Sequence, residues 1–283
     1  MSNWAGYDIP ATGIYTSTSQ FDAGGWLKTM ASTSLVPAYY AYLIGYYGHT
    51  NNLPDGNQNP GGPNLTTGMG ALLLGVDNAA CPQGPPATIC ADNLIVKAYS
   101  WYATETYAAW KKPLIWLLEG DFIQYSVEGS QTDPLSYDQL GQLAAQITMA
   151  IKCAMPTAVV AINYSTWIST SELDSYFGAI STAMTALGTS YDMVWTTGSG
   201  SSASAGNATY AALHTLTGKP ILVDESFGLS AQSDTWANQT ATTIDARIAG
   251  GVVAANITTS TPTYLETNVT TTLAPSALSS TCP

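Results

Sequence analysis

Two apolar runs in this chain end in acidic residues. The first run ends with Glu119 and Asp121, and the second, later in the chain, ends with Asp224 and Glu225. Only 9% of the residues are charged, against about 25% in ordinary soluble proteins, so packing alone rarely explains acids at the ends of two buried strands. Paired carboxylates that face one cleft are the groups that hydrolyse a glycosidic bond. We therefore treat these four acids as catalytic candidates.

The spacing within each pair makes a further prediction. Glu119 and Asp121 lie two residues apart, so on a strand their side chains point to the same face. If that face is the interior of a barrel, the two carboxylates couple and the pKa of one of them rises, as a general acid requires at neutral pH. Asp224 and Glu225 are adjacent, so only one of them can point inward. The alternative for each pair is a structural role, such as a buried ion pair.

The composition excludes several kinds of partner. The formal net charge is −12, with seven lysines and arginines in total, so the chain lacks the basic surface that nucleic acids require. An anionic membrane surface would also be repelled, and no apolar run reaches the ~18 residues of a membrane span. The surface is rich in Thr, Ser, Asn, Gly and Tyr, which is common in secreted proteins that act on neutral polymers. We expect a secreted, extracellular monomer whose partner is a polysaccharide or oligosaccharide, and we read Met1–Ser2 as replacing a removed leader.

The chain has four cysteines and two histidines. Cys81 and Cys90 enclose a loop rich in Pro and Gly, which favours a local disulfide between them. Cys282 would then hold the C-terminal tail to Cys153, and the alternative is four free thiols. Two histidines cannot make the usual transition-metal site, so neither a metal nor another cofactor is expected.

Strands and helices alternate regularly from residue 91 onward. Apolar runs without alternating polarity predict buried strands, and Ser136 and Ser171 predict helix starts. The predicted order of elements is helix 91–110, strand 113–120, helix 136–154, strand 158–164, helix 171–187, strand 191–196, helix 208–216, strand 220–224, helix 242–249 and strand 251–257.

This alternation predicts a parallel sheet covered on both faces, with polar residues at the carboxyl ends of the strands. Further strands are expected at Trp4–Asp8 and Leu35–Tyr47, and Gly68–Val76 is either a helix or a strand. The total of seven or eight strands indicates an α/β fold, a TIM-type (β/α)7-8 barrel that is irregular in its first third. Residues 1–283 are expected to form a single domain.

The segment Lys219–Gly228, KPILVDESFG, is similar to strand seven of many cellulases and mannanases. In this respect the chain resembles the TIM-barrel clan of retaining glycoside hydrolases. The resemblance implies that Glu119 is the acid/base at the end of strand four and that Glu225 is the nucleophile at the end of strand seven. The clan usually has Asn before its acid/base, where this chain has Leu118. The sequence LLEGD also resembles the Glu-Pro-Asp motif of an inverting cellulase family with a distorted barrel, with Gly120 in place of the proline.

Sugar-binding sites use aromatic side chains as flat apolar platforms. The chain has 8 Trp and 17 Tyr against 4 Phe, a bias toward aromatic rings that carry a polar group. The candidates near the predicted strand ends are Trp167, Trp195, Tyr164, Asn163, Tyr46, Tyr47, Tyr125, His49 and Asp8. For the two tryptophans the alternative is that they fill the top of the barrel as core residues.

These inferences combine into one functional hypothesis. We predict an endo-acting glycoside hydrolase for a neutral β-linked polysaccharide, with β-glucan or cellulose preferred over mannan or xylan and with retaining chemistry slightly favoured. A non-catalytic carbohydrate-binding barrel and an inverting cellulase-like hydrolase are the alternatives. The separation of the two carboxyl groups, about 5–5.5 Å for retaining and 6.5–9.5 Å for inverting enzymes, would distinguish the mechanisms.

Overall fold

The computed structural model describes residues 11–14, 27–28, 31, 36–41, 43–44, 94–120, 122–123, 127, 135–166, 168–197, 204–224, 240–256 and 275–282. Their order along the chain is β1 (Ala11–Ile14), β2 (Ala38–Ala41), α1 (Leu94–Ala109), β3 (Leu114–Leu118), α2 (Tyr137–Ala154), β4 (Ala158–Tyr164), α3 (Thr170–Leu187), β5 (Met193–Thr197), β6 (Ser204–Ala205), β7 (Ala208–Thr209), α4 (Tyr210–Thr217), β8 (Ile221–Asp224), α5 (Ala241–Ala249) and β9 (Val252–Asn256).

Local capping signals fix where the helices begin. The Ser136 hydroxyl accepts from the Gln139 amide at 3.2 Å, and Gln139 Oε1 accepts from the Ser136 amide at 2.9 Å, so α2 starts with a capping box as expected. The expected start of α3 at Ser171 is wrong, because Ser169 is the N-cap and Glu172 completes its capping box. Two serines stand two residues apart there, and the glutamate three residues after the first decides between them.

Seven strands form one parallel sheet in the order β1-β2-β3-β4-β5-β8-β9. β6 and β7 form a separate antiparallel pair in the β5–α4 connection, and β7 occupies Ala208–Thr209, where the sequence predicted the start of a helix; that helix, α4, begins at Tyr210. Helices α1, α2, α3, α4 and α5 alternate with the main strands. The predicted α/β fold with a parallel sheet is therefore confirmed.

The sheet is strongly curved. The Tyr40 hydroxyl on β2 donates a hydrogen bond to Asp224 Oδ2 on β8, although β8 lies four strands away in the sheet order. Neighbouring strands are about 4.8 Å apart, so a flat sheet would separate these backbones by roughly 19 Å. The rings of Tyr40 and Trp195 lie 6.1 Å apart between β2 and β5, which requires the same curvature. Closure of the sheet into a barrel, through pairing of β1 with β9, stays a prediction.

Strand register divides the side chains between two faces. Tyr40 pairs with Leu117 and Asn163 pairs with Trp195, and the register carries the same face on to Asp224. This is the concave face, since Tyr40 contacts both Trp195 and Asp224 across it. The opposite, helix-covered face includes Tyr39 and Trp116, whose rings meet edge to face at 5.3 Å. Tyr99 of α1 also packs on Trp116 on that side, at 6.4 Å.

The C-terminal segment is tied to the end of the sheet opposite the acids. The predicted disulfide Cys153–Cys282 is present, with the two Cα atoms 5.6 Å apart. Next to it, Lys152 forms a buried ion pair with Asp192 at 2.9 Å, and Ser276 donates through both its amide and its hydroxyl to Asp192 Oδ1. A buried ion pair is tolerated because these hydrogen bonds satisfy the remaining polar atoms.

Two glycines allow close approach between segments. A Cβ at Gly141 of α2 would lie 2.5 Å from the carbonyl oxygen of Ala179, so this glycine lets α2 and α3 pack closely. Gly188 ends α3 with a φ of 70°, and a Cβ there would meet Ser279 and Ser280 of the C-terminal segment. Side chains at these two positions would push the packed segments apart.

Several expectations for the first ninety residues are changed or lie outside the described residues. The strand expected at Leu35–Tyr47 covers only Ala38–Ala41, and residues 43–44 are already helical. Trp4–Asp8 and Gly68–Val76 lie outside the described part of the chain. Within that part, Glu119 follows the third strand in the sheet order and Asp224 ends the sixth. Their assignment to strands four and seven of a barrel stays a prediction, because the expected strand Trp4–Asp8 lies outside the described residues. The separation of three strands between the two acidic segments is as expected.

Candidate functional site

Asp224 and Tyr40 form the polar pair at the carboxyl ends of the strands on the concave face. Asp224 is the last residue of β8 and is 0% exposed. Its Oδ2 accepts the hydrogen bond from Tyr40, a half-buried side chain on β2. Of the two adjacent acids at this strand end, Asp224 is therefore placed on the concave face.

Asn163 and Ser165 lie at the end of β4 on the same side. Asn163 shares the face of Trp195 through the register of β4 and β5. The Ser165 hydroxyl donates to Asn163 Oδ1 at 3.0 Å, and both residues are buried. Polar side chains thus lie at the carboxyl ends of both β4 and β8, as the sequence predicts for the functional end of a parallel sheet.

Glu119 has a different environment. It directly follows β3, is 2% exposed, and has a φ of 36°, in the left-handed region that is uncommon for a residue with a Cβ. Three donors converge on its Oε1. They are the amide of Leu43 at 2.9 Å, the amide of Ile44 at 3.0 Å and the hydroxyl of Tyr99. Because Tyr99 packs on the helix-covered face, Oε1 is oriented toward α1 and the turn after β2.

Burial gives Glu119 an unusual acidity. Desolvation raises the pKa of its carboxyl from 4.5 to about 7, and the hydrogen bonds from Tyr99, Ile44 and Leu43 only partly oppose this rise. The sequence predicted a raised pKa for one of Glu119 and Asp121, through coupling between the two carboxylates. Asp121 lies outside the described residues, and burial is the largest cause of the shift. A carboxyl with a pKa near 7 can both give and take a proton at neutral pH.

Two carboxyl groups with different environments therefore lie at the same edge of the sheet. Glu119 follows β3 and Asp224 ends β8, three strands further in the sheet order. Glu119 can exchange its proton at neutral pH because burial raises its pKa to about 7, while the Asp224 carboxylate accepts a hydrogen bond from Tyr40. Separate environments for two acids are typical of acid–base sites.

Two of the predicted sugar-binding aromatic residues do not fit that role. Trp195 is 1% exposed, and its Nε1 donates to the carbonyl of Leu118 at 3.0 Å, so its ring fills the concave face beside Tyr40. Tyr164 is fully buried, and its register with Thr196 places it on the helix-covered face. These positions correct the sequence-based assignment of both residues, because a side chain without exposed surface cannot stack on a sugar ring. The alternative of a core tryptophan holds for Trp195.

The remaining candidates lie outside the described residues. They are Asp121, Glu225, Trp167, Tyr46, Tyr47, Tyr125, His49, Asp8, Cys81 and Cys90.

The sequence reasoning missed Tyr40 and Tyr99. Tyr40 lies in the predicted strand Leu35–Tyr47, from which the sequence selects Tyr46 and Tyr47 as candidates. Adjacent residues of a strand point to opposite faces, so Tyr39 and Tyr40 must face different sides of the sheet. With the ends of β2 known, this alternation would have placed Tyr40 on the concave face. No local pattern connects Tyr99, in the middle of α1, with a carboxylate twenty residues later.

Among the described residues, neither a membrane-spanning helix nor a metal-binding cluster occurs. No helix among them is long and apolar enough to cross a membrane. In the same part of the chain, no three His, Cys, Asp or Glu side chains are grouped so that they could hold a metal ion.

No protein-family model and no curated protein sequence matches this chain. Among solved structures, it is similar to a GH26 β-mannanase from Bacteroides ovatus, at 10% identity and a TM-score of 0.52, over 96% of this chain and 76% of that one. It is also similar to a GH6 enzyme of Orpinomyces sp. Y102, at 13% identity and a TM-score of 0.44, over 81% of this chain and 64% of that one. The present chain thus spans slightly less than two thirds of the GH6 enzyme.

A third similar structure is 2,3-dimethylmalate lyase, of the PEP mutase/isocitrate lyase superfamily, at 10% identity and a TM-score of 0.36, over 90% of this chain and 76% of that one. At such low identities the likeness to the mannanase shows a shared fold, and the weaker likenesses favour neither hydrolase nor lyase chemistry. The expected resemblance to TIM-barrel glycoside hydrolases is therefore confirmed at the level of fold.

Proposed function

We propose that this protein is a secreted, endo-acting glycoside hydrolase that cleaves a neutral β-linked polysaccharide, with β-glucan or cellulose as the preferred substrate. The observation that carries the proposal is Glu119, a buried carboxyl with a pKa of about 7 at the carboxyl end of a parallel strand. A second acidic segment at the same edge of the sheet supports it, and so does a surface composition poor in charge.

In this proposal Glu119 is the general acid and acts through Oε2, because Oε1 is turned toward α1 and held there by three donors. Burial raises the pKa of its carboxyl to about 7, so both the protonated and the ionised form are populated at neutral pH. The protonated form gives its proton to the glycosidic oxygen as the bond to the leaving sugar breaks and the second carboxylate bonds to the anomeric carbon; water then displaces that carboxylate. The carboxylate that remains then takes a proton from the water that completes the hydrolysis.

The second reacting carboxylate is assigned to Glu225, as the resemblance to retaining enzymes implies. Asp224 is fully buried and bonded to Tyr40, which suits a supporting role below the reacting groups. Glu225 is the next residue in the sequence after the end of β8, and the alternation that lets only one of two adjacent side chains face inward no longer applies beyond the end of a strand. A retaining course is proposed, with the inverting course as the alternative.

An assay for new reducing ends over a panel of glucans, xylans and mannans tests the activity. Glu119→Gln keeps an acceptor for the three donors but cannot ionise, so we expect a loss of about 10²–10⁴-fold. Aryl glycosides with good leaving groups should recover much of the loss in the first step, since they need little protonation. Glu105→Gln, at an exposed site on α1, is the matched control and should keep full activity.

The stereochemical course is tested separately by NMR of the first anomer released from the active enzyme. Retention supports Glu225 as a nucleophile, and Glu225→Gln should then abolish turnover. Inversion would instead make the second acid a base that activates water.

A non-catalytic carbohydrate-binding barrel is the second candidate. Glu119 accepts hydrogen bonds from two backbone amides and from Tyr99. A carboxylate with a purely structural role would make the same bonds, and this observation favours the second candidate. In that case no polysaccharide on the panel releases reducing ends, and Glu119→Gln binds oligosaccharide as the unchanged protein does. The disulfide Cys153–Cys282 is compatible with secretion in either case, and a monomer is proposed.

A further inference from the structure

We infer that Tyr99 is a positioning residue which, together with the amides of Leu43 and Ile44, holds Oε1 of Glu119 as an acceptor, so that Oε2 is the oxygen that gives and takes the proton. The catalytic consequence of this inference, proton transfer through Oε2, rests on the proposed function. Its structural content, the control of Glu119 by a tyrosine from the helix layer, can be tested without any activity.

The geometry of the hydrogen bonds carries this inference. Leu43 N, Ile44 N and Tyr99 Oη all donate to the same oxygen, Oε1. An oxygen that accepts three hydrogen bonds is a poor place for a proton, because the proton would meet those donors. The proton of the neutral acid is therefore placed on Oε2.

Tyr99 is itself held in place. Its single hydroxyl proton is shared between Glu119 Oε1 and the carbonyl oxygen of Ala41, which lies at 2.8 Å and also accepts from the Glu119 amide at 3.1 Å. The Tyr99 ring is fully buried and packs on Trp116. The end of β2, the end of β3 and helix α1 thus meet at one carboxyl group.

The backbone conformation of Glu119 indicates that surrounding contacts fix its position. A φ of 36° is unfavourable for a residue with a Cβ and persists where surrounding contacts over-determine it. The three bonds to Oε1, together with the bond from its own amide to Ala41, supply such contacts. The side chain is therefore fixed at both ends.

The ionisable groups near Glu119 come from few elements. Helix α1 supplies Tyr99, whose pKa is raised well above its usual value by burial, so it stays a neutral donor. Strand β2 supplies Tyr39, which receives a hydrogen bond from Thr106 on the helix-covered face, and Tyr40, which donates to Asp224 on the other face. Strand β5 contributes Trp195, which does not ionise. Among these described groups, Tyr99 is the one bonded to the Glu119 carboxyl.

The test compares Tyr99→Phe with Tyr176→Phe. Tyr176 is a matched control, since it is also fully buried on a helix and its hydroxyl donates to a strand-end carbonyl, Asn163 O, at 2.8 Å. In protein labelled with ¹³C at the glutamate carboxyl carbons, NMR titration follows each midpoint, and the signal missing from Glu119→Gln identifies Glu119. Tyr99→Phe should raise the Glu119 midpoint by about one pH unit, because a donor to the carboxylate is lost. Tyr176→Phe should leave it unchanged.

If Tyr99→Phe does not fold, fluorotyrosine at position 99 replaces it. The fluorinated hydroxyl is a stronger donor, so the Glu119 midpoint should fall instead of rise. A Glu119 midpoint that is unmoved by the folded variant at position 99, or moved equally by the Tyr176 control, overturns the inference.

The activity readout separates this inference from the proposed function. If the protein hydrolyses polysaccharide, the alkaline limb of its pH profile should move with the Glu119 midpoint in each variant. If no variant hydrolyses anything, the proposed function fails, while the NMR titration still decides whether Tyr99 controls Glu119.

Discussion

Replacing Glu119 by Gln should change the pH dependence of folding stability in a defined way. Below pH 4.5 the carboxyl is protonated in both the folded and the unfolded chain. Between 4.5 and about 7 the folded protein keeps the proton while the unfolded chain releases it. Since the folded state then binds more protons, the free energy of unfolding falls as the pH rises through this window. Above about 7 this contribution stays lost.

The magnitude follows from the shift. One pKa unit corresponds to about 1.4 kcal/mol, so a rise from 4.5 to about 7 amounts to roughly 3 kcal/mol. Glu119→Gln has no such term, and its amide can still accept from the three donors at Oε1. Relative to the unchanged protein, the variant should therefore gain about 3 kcal/mol between about pH 4 and pH 8.

Urea unfolding followed by tryptophan fluorescence measures this difference. Curves for both proteins are recorded at several pH values across the window, and the difference in the free energy of unfolding is plotted against pH. All other titrating groups are common to the two proteins, so their contributions cancel. Glu105→Gln, at an exposed site on α1, is the matched control, and the Glu119→Gln difference is compared with it at each pH.

Two results would refute the reasoning. If the Glu119→Gln difference is flat, the carboxyl has an ordinary pKa in the folded state and is not desolvated. If the difference falls with rising pH, the donors at Oε1 outweigh burial and the carboxylate is the favoured form.

Three further predictions concern stability. Trp195→Ala should lower the free energy of unfolding by about 3–5 kcal/mol because a fully buried ring is removed. The control Trp101→Ala, at a side chain that is 36% exposed, should change the melting temperature little. Equal effects of the two changes would contradict a core role for Trp195. Cys282→Ser should cost about 2–5 kcal/mol, and reductant should remove the difference between this variant and the unchanged protein; a difference that survives reduction would point to another cause. Lys152→Met leaves Asp192 buried without its cation and should cost about 3–5 kcal/mol in urea unfolding, while adding Asp192→Asn should recover part of that loss; additive costs would show that the pair is not coupled.

Short-range patterns determined most of the elements. Apolar runs without alternating polarity predicted β3, β4, β5, β8 and β9, and their alternation with helices predicted the parallel sheet. Ser136 identified the start of α2 because a capping box is complete within four residues. The pairing of Cys153 with Cys282 was also predicted, since four cysteines allow few arrangements. The sequence further indicated that Glu119 and Asp224 end buried strands.

The tertiary structure alone decided what surrounds those acids. The bond from Tyr40 to Asp224 joins residues 184 positions apart, and it exists only because the sheet curves. The same curvature buries Trp195, which the sequence predicted to bind sugar near a strand end. Glu119 turns toward α1 through a φ of 36°, although strand alternation predicted that it faces the interior with Asp121. Local propensities and periodicities act over a few residues, whereas curvature, desolvation and donor placement depend on how distant segments pack. For this reason the sequence located the candidate acids, and the fold determined the pKa and the partners of Glu119.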